Sequence, residues 1–595
     1  MKKSIRFSLL IFICLTCLSS FVFAQSFLLQ LQGENEEFQR QSKISRFHDD
    51  FNSCRKALQI SIKQLHEAGY LCASIDSLRW TDSSATAQIF VGKKFAWASL
   101  KNNNIPTSLL QQLHFQEKEY FDKPIQAKKI TALFERVLKH FEDNGHPFAS
   151  IKLENVEIVN DKLKGEIKLE KGQQIRLDTI YINEDARINR KFLLAYLGLN
   201  DGMLYNESKI RNISLRIKEL NFLQELYPWR ISFTAAKSNL SIYVKNKSAN
   251  RADVLIGLLP NNIENQGKFL LTGDIKLAIV NALGRGEKFQ LNWQNLQAQS
   301  PRYNIEASYP YLLHTPFGLQ GKFDFYKKDT SFRLVSGEMG LLYQFNAHDY
   351  LKIFYELSSN RLGTINTSSL IAYKRLPDNA DVTYRSFGAE INYSRLDYRL
   401  NPRKGYRFYF KSGIALRNFI RNTTIEQTLD PSRGETFKYL YDSIQLKSNR
   451  YNILCELNYF FNIKQRLIFA SLYHGGITFS NDNLYRNELF QIGGYRLMRG
   501  FDEGSLFVNQ YHVFTFEPRF LIGINSYFFT FGDLGFIQSK FAQQFQDDML
   551  YSLGGGMTFE TRAGLFNINY ALGGRQNQGI QFRNSKIHFG YISVF

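Results

Sequence analysis

Few residues in this chain are spaced to make or break bonds. Its ten histidines are scattered, and neither a Gly-x-Ser-x-Gly elbow for a nucleophilic serine nor a His-Glu-x-x-His helix for zinc occurs. Of five cysteines, Cys14 and Cys17 lie near the N-terminus, leaving Cys54, Cys72 and Cys455. That scarcity excludes a disulfide scaffold, and no paired Cys/His spacing points to a metal site. Cys54 falls on a predicted helix and Cys72 on the strand after it, so they form either one bridge or two small buried residues. The remaining chemistry is charge pairing. Its densest candidate is Gly493-Gly494-Tyr495-Arg496-Leu497-Met498-Arg499-Gly500-Phe501. A planar guanidinium there suits carboxylates, and Gly500 permits a tight turn or close wall contact. Taken alone, the run is equally a turn glycine beside an exposed arginine.

What positions that run depends on the rest of the chain. It has 595 residues, enough for several domains, with 44% hydrophobic and 15% aromatic content and only 12 prolines. This is too apolar for a disordered chain. Beyond the N-terminus no apolar run reaches about 18 residues, which excludes a helical membrane bundle. Met1–Ala24 divides as a secretory signal: Lys2, Lys3 and Arg6, then an apolar Phe7–Leu18, then Val22-Phe23-Ala24 before Gln25. Net charge is +20, of which this segment holds +3. The other Lys and Arg are scattered rather than grouped in a run or stripe, so nucleic acid is not an expected partner. In an exported protein the excess favours acidic lipid headgroups or unfolded clients.

Two periodicities divide the mature chain. Residues 25–250 mix helices and strands in three rounds, 25–95, 96–174 and 175–250. The first has a strand at Ser26–Gln32, a helix at Asp50–Ala68 and strands at Leu71–Trp80 and Ala85–Val91. The second has helices at Pro106–Leu113 and Ile125–Asn144 and strands at Ala149–Val159 and Lys162–Leu169. Helix-stopping Gly69 and Gly145, and strand-ending Gly92 and Gly172, recur at nearly one period. The third round, with helices at Asn189–Leu197 and Glu207–Leu220 and strands at Trp229–Ala235 and Leu240–Lys245, lacks that punctuation. From Arg251 the pattern is strict alternation: Leu351, Ile353, Tyr355 and Leu357 against Lys352, Phe354, Glu356 and Ser358, for example. About 16 such segments fit residues 251–595, one apolar and one polar face each, the pattern of a barrel between lipid and water. Short connections alternate with long ones at Ser359–Asp381, Leu416–Phe437 and Ser480–Ser505. An even strand count returns the C-terminus to the rim where the chain enters. The expected fold class is α+β modules followed by an all-β transmembrane barrel.

The glycine–arginine run, lying between the eleventh and twelfth strands, resembles the Arg-Gly-Phe/Tyr motif on the sixth extracellular loop of the BamA/TamA-type outer-membrane assembly superfamily. Glu517 in Phe516-Glu517-Pro518-Arg519 and Asp533 in Phe531-Gly532-Asp533-Leu534-Gly535 fall where that family carries acidic residues, and Asn281–Gly286 resembles its short turn. Met498 stands where valine is common. The resemblance covers nearly the whole mature chain. It implies three POTRA-like modules in the periplasm and a 16-stranded barrel in the bacterial outer membrane. Arg499 would be held by Glu517 and Asp533, with Gly493, Gly494, Gly500 and Phe501 shaping an inward-folded loop. An unpaired charge in a partly desolvated lumen would be costly. The barrel seam would join Ala252–Leu259 to a last strand with Ile587, Phe589, Tyr591 and Phe595 on one parity. The implied activity is protein insertion or export without cofactor, metal or covalent catalysis. Unfolded outer-membrane or secreted clients, outer-membrane lipids and accessory assembly subunits would be the partners. A two-partner-secretion-type exporter of one dedicated substrate is the alternative; it typically has two modules and a plug helix.

Overall fold

The computed structural model describes residues 27–592 except 34–43 (Glu36 and Phe38 apart), 184–185, 235–237, 261–268, 296–298, 496, 542–543 and 562–563. The signal segment and Phe595 lie outside the described residues. Two compact units emerge. One holds residues up to Asp178 with Gly202–Arg211 and Phe233–Ser238; the other holds Thr179–Asp201, Asn212–Ser232 and Asn239–Phe595.

In the first module, β1 (Phe27–Gln32), β2 (Phe47–His48), β3 (Ser74–Trp80) and β4 (Ser84–Phe90) form a sheet in the order β2-β1-β4-β3, with α1 (Phe51–Glu67) between β2 and β3. Asp50 starts α1 with a capping box, its carboxylate accepting from Ser53 N–H at 2.7 Å. The helix buries Cys54, Leu58, Ser61 and Leu65, one face at helical spacing. Each buried leucine contributes about 1.5–3 kcal/mol. The second module repeats the plan. Here β5 (Ala96–Asn102), α2 (Thr107–Gln112), α3 (Ala127–Asp143), β6 (Ser150–Val159) and β7 (Lys162–Glu170) give the sheet order β5-β7-β6. In both sheets the first strand pairs in parallel with the last, and the last two strands form a hairpin. The helices are the crossover that parallel pairing requires. Gly69 and Gly145 both have left-handed backbones, φ 104° and 96°, immediately after α1 and α3. That is the physical content of their recurrence.

The third sheet orders β8 (Leu177–Ile182), β9 (Leu223–Phe233) and β10 (Ser238–Asn246) as β8-β10-β9, with α4 (Arg190–Leu197), α5 (Glu207–Arg211) and α6 (Ile213–Glu219). Here the sequence reading needs correction. The helix expected over Glu207–Leu220 breaks at Asn212, and the strand expected from Trp229 begins at Leu223. Cys54 is buried as a small core residue, but Cys72 is exposed, and both thiols are free.

Residues 251–592 form one sheet of sixteen strands, each antiparallel to the next in chain order. In the sixth strand, Phe332–Gln344, Ser336 and Glu338 are buried while Met339 and Leu341 are exposed on the other face. The inward face is polar and internally paired. Lys352 Nζ lies 2.8 Å from both Glu338 and Glu390, and Lys411 Nζ lies 2.7 Å from Glu338. No described helix is long and apolar enough to cross a membrane; the spanning elements are strands, which pair their backbone groups with their neighbours in the sheet. One rim has turns such as Phe345–Asp349; the other carries the long connections 363–381, 420–446 and 481–509. The connection after the fifth strand, Asp329–Ser331, is short although it lies on the long-loop rim, so the alternation of lengths is not strict. The barrel is nearly closed: among the described residues no hydrogen-bonded register joins the first strand, Arg251–Pro260, to the last, Lys586–Ile592.

Candidate functional site: an inward-tied loop and the barrel seam

The connection between the eleventh strand (Leu467–Ser480) and the twelfth (Gln510–Leu521) is itself a hairpin. Phe490–Ile492 pairs with Leu506–Val508, and the tip is 493–505. Alternation explains why this tip folds inward. Ile492, Met498, Leu506 and Val508 pack with inward residues of the barrel wall, Tyr511, Val513, Ile537 and Leu550. Gly493 and Gly494 take φ 109° and 103° to turn the chain, and Met498 also has a positive φ of 62°.

Arg499 ends on two carboxylates. Its Nη1 donates to Glu517 at 2.7 Å, and its Nη2 donates to Asp533 at 3.0 Å. Its backbone N–H adds a bond to Asp533 at 3.2 Å. The guanidinium lies 3.5 Å from the centroid of Phe531, a cation–π contact in a desolvated place. Both acids have further partners: Arg519 donates to Glu517 at 2.9 Å, and Thr515 to Asp533 at 2.8 Å. Asp533 is 3% exposed and Glu517 6%, so these charges exist only as a paired set. Gly500 rests on the fifteenth strand (Leu565–Arg575): a Cβ there would lie 2.4 Å from Gly573 Cα. Its N–H donates to Ser552. Phe501 packs beside the same apolar cluster, with Arg575 over its ring. Arg496 is outside the described residues.

Three contacts reach the last strand, and sequence reasoning did not find them. His588 Nε2 donates to the Arg499 carbonyl at 2.9 Å, Lys586 pairs with Asp502, and the Tyr495 ring lies 5.9 Å from that of His588. The available signal was the polar parity of Lys586 and His588. Ile587 and Phe589 point the other way, 75% and 49% exposed, while Tyr591 is half-buried. Between first and last strands lies a cavity of about 670 Å³, lined by Arg251, Asp253 and Val254 on one side and Ile587–Tyr591 on the other.

A second anchor also went unread. At the start of the same loop Glu488 takes two bonds from Arg417, at 2.7 and 2.9 Å, and one from Tyr384. Asp482 pairs with Arg417 at 3.1 Å. Asn487 exchanges two hydrogen bonds with the Ala380 backbone. Nothing in the local sequence distinguishes these residues, because Arg417 lies 71 residues from Glu488. No cluster of His, Cys, Asp and Glu able to hold a metal occurs among the described residues.

Alternating α/β modules, a sixteen-stranded barrel with a charged interior and a long loop tied into the lumen define an outer-membrane barrel carrying POTRA-like modules. The model of the Omp85 superfamily domain matches residues 281–591, more than half of the chain, and the protein belongs to that superfamily. Its fold is similar to that of CdiB from Escherichia coli, at 13% identity over 91% of this chain and 98% of that one, with a TM-score of 0.52. BamA from Haemophilus ducreyi lacking POTRA domains 1–3 aligns at 12% identity over 84% of this chain and all of that one, with a TM-score of 0.46. No curated protein sequence matches the chain.

Proposed function

We propose that this protein inserts or translocates other proteins at the outer membrane. Its N-terminal modules face the periplasm and receive unfolded clients, and the barrel seam admits them. The observation that carries this reading is the edge pair of the barrel. The last strand has seven residues, has no described ladder to the first, and is tethered from inside by Tyr495, Arg499 and Asp502. An edge with free backbone groups is a template for an incoming strand. The modules offer a second template. In the second module β6 is an edge strand with exposed Val156, Ile158 and Val159, suited to strand addition. In this role Arg499, Glu517 and Asp533 are a clamp that holds the loop against the seam.

The test is a disulfide across the seam. Val254 and Ile587 line the same cavity. Val254→Cys with Ile587→Cys, in a chain whose Cys54, Cys72 and Cys455 are replaced by serine, should cross-link under oxidation and stop client insertion by more than tenfold. Reduction should restore it. Undiminished insertion by the fully cross-linked protein would exclude passage through the seam. The fold shared with CdiB leaves a second reading, export of one dedicated secreted protein. Depletion separates the two, since an insertion factor lowers many outer-membrane proteins and a dedicated exporter removes one secreted protein.

A further inference from the structure

We propose that the outer wall of the barrel binds a phosphate-bearing lipid headgroup at Arg385 and Lys447, in the leaflet that meets the long-loop rim. The register of the eighth to eleventh strands sets the geometry. Thr383, Asn418 and Lys447 stand in one cross-strand row, and Arg385, Leu416 and Asn449 in the next. Below them Phe387, Ile414, Tyr451 and Phe479 form a third row. These residues share the outward parity: Phe387 is 62% exposed and Ile414 55%, while their chain neighbours Ser386 and Ala415 are buried. The wall is therefore apolar up to the Phe387 row; in the next row Arg385 and Asn449 stand either side of an exposed Leu416, and Asn418 and Lys447 lie above them.

That boundary falls where a bilayer ends. Continuing down the eighth strand, outward positions run through Ala389, Ile391 and Tyr393 to Arg395 near the short-turn rim. Arg385 and Arg395 thus lie ten residues apart along the strand, about 33 Å at roughly 3.3 Å per residue, the span a tilted strand needs to cross the hydrocarbon. The two arginines differ in what neutralises them. Arg395 pairs with Asp349 at 2.9 Å and lies 4.4 Å from the Tyr393 ring. Arg385 and Lys447 have no ion-pair partner among the described residues. They line a crevice of about 470 Å³ with Asn418, Gln445, Asn449 and Asn481, and none of its lining residues is a carboxylate. Two unneutralised cations, several amide donors and an apolar floor complement one ligand chemistry: a phosphate carried on acyl chains. The chains lie along Phe387, Ile414 and Phe479, and the phosphate takes the cations.

The experiment uses the full-length purified protein in detergent, with lipid adducts counted by native mass spectrometry. Dioleoyl phosphatidic acid is the probe, and dioleoylglycerol and inorganic phosphate are the comparisons. Wild-type protein should hold phosphatidic acid roughly thirtyfold more tightly than R385Q/K447Q, the ratio that two interfacial cations at about 1 kcal/mol each give. K447Q alone should fall between, and R433Q/K438Q, which changes two exposed loop cations, should bind as wild type. Heat-modifiable gel migration shows that each variant has a folded barrel, and K447Q keeps the test decisive if the double variant does not fold. Equal binding by a folded R385Q/K447Q, equal loss in R433Q/K438Q, or equal binding of dioleoylglycerol would overturn the proposal. Displacement of the lipid by equimolar inorganic phosphate would assign the site to free phosphate instead.

Discussion

Arg499 meets several geometric demands at once. Its fork reaches two carboxylates on neighbouring strands while its face covers Phe531, and a lysine ammonium can satisfy only part of that. Glu517 keeps Arg519 if Arg499 is removed, so the stranded charge is Asp533, whose side chain is 1% exposed. Leaving a buried charge without its partner costs about 3–5 kcal/mol. Arg499→Ala should therefore release residues 493–505 to limited proteolysis and lower client insertion, and Arg499→Lys should recover a minor part of both. An intact, protected loop in Arg499→Ala would show that the apolar cluster around Met498 holds the tip by itself. The pairing of Arg499 with its acids was legible because strand order and residue type agreed. The cradle for Gly500 was half-legible, since Gly573-Gly574 inside a strand pattern marks close backbone approach.

Among elements, the loop 481–509 is held at two ends by unrelated sets of residues. Arg417 is fully buried and depends on Glu488, with Asp482, Ser448 and the Asn483 carbonyl as its other partners. Glu488→Ala should expose 481–489 to protease while leaving 493–505 protected, and Arg499→Ala should do the reverse. Glu488→Gln, which keeps volume and an acceptor, should be milder by roughly 1–2 kcal/mol in thermal stability. Cleavage spreading through the whole loop in either single variant would show that the anchors act as one. The helices and strands of the first two modules were legible to within a few residues because their signals are local: amphipathic spacing, a capping box, a left-handed glycine. The third module lost accuracy where those signals fade, at Asn212 between α5 and α6.

For the molecule as a whole, α4 and α6 and the short-turn rim of the barrel belong to one unit. His348 Nε2 donates to the Glu219 carbonyl at 2.9 Å, Arg216 donates to the Phe345 carbonyl at 3.0 Å, and Asn189 N–H donates to the Gly284 carbonyl at 2.7 Å. Burial, with nearby Arg399 adding to it, lowers the His348 imidazole from 6.5 to about 4. A histidine depressed in the docked state takes up a proton when it is released. Docking is thus at full strength above about pH 6.5, weakens as pH falls towards 4, by about 1.4 kcal/mol per unit at most, and changes no further below that. Hydrogen exchange over Ile213–Leu220, corrected for intrinsic rates, should report faster opening at pH 5 than at pH 7, and His348→Gln should remove that difference. Exchange that is independent of pH in the wild type would show that the other contacts decide docking.

The amino-acid sequence by itself determined the division into modules and barrel, the strand number and the direction each strand faces. Those follow from periods of two and 3.6 residues that any short window reveals. Only tertiary structure decided that Glu488 meets Arg417, that His588 meets the Arg499 backbone, and that the two edge strands share no ladder among the described residues. Such pairings depend on how sixteen registers accumulate around a cylinder and on where a 29-residue connection comes to rest, and neither quantity leaves a local trace in the residues that realise it.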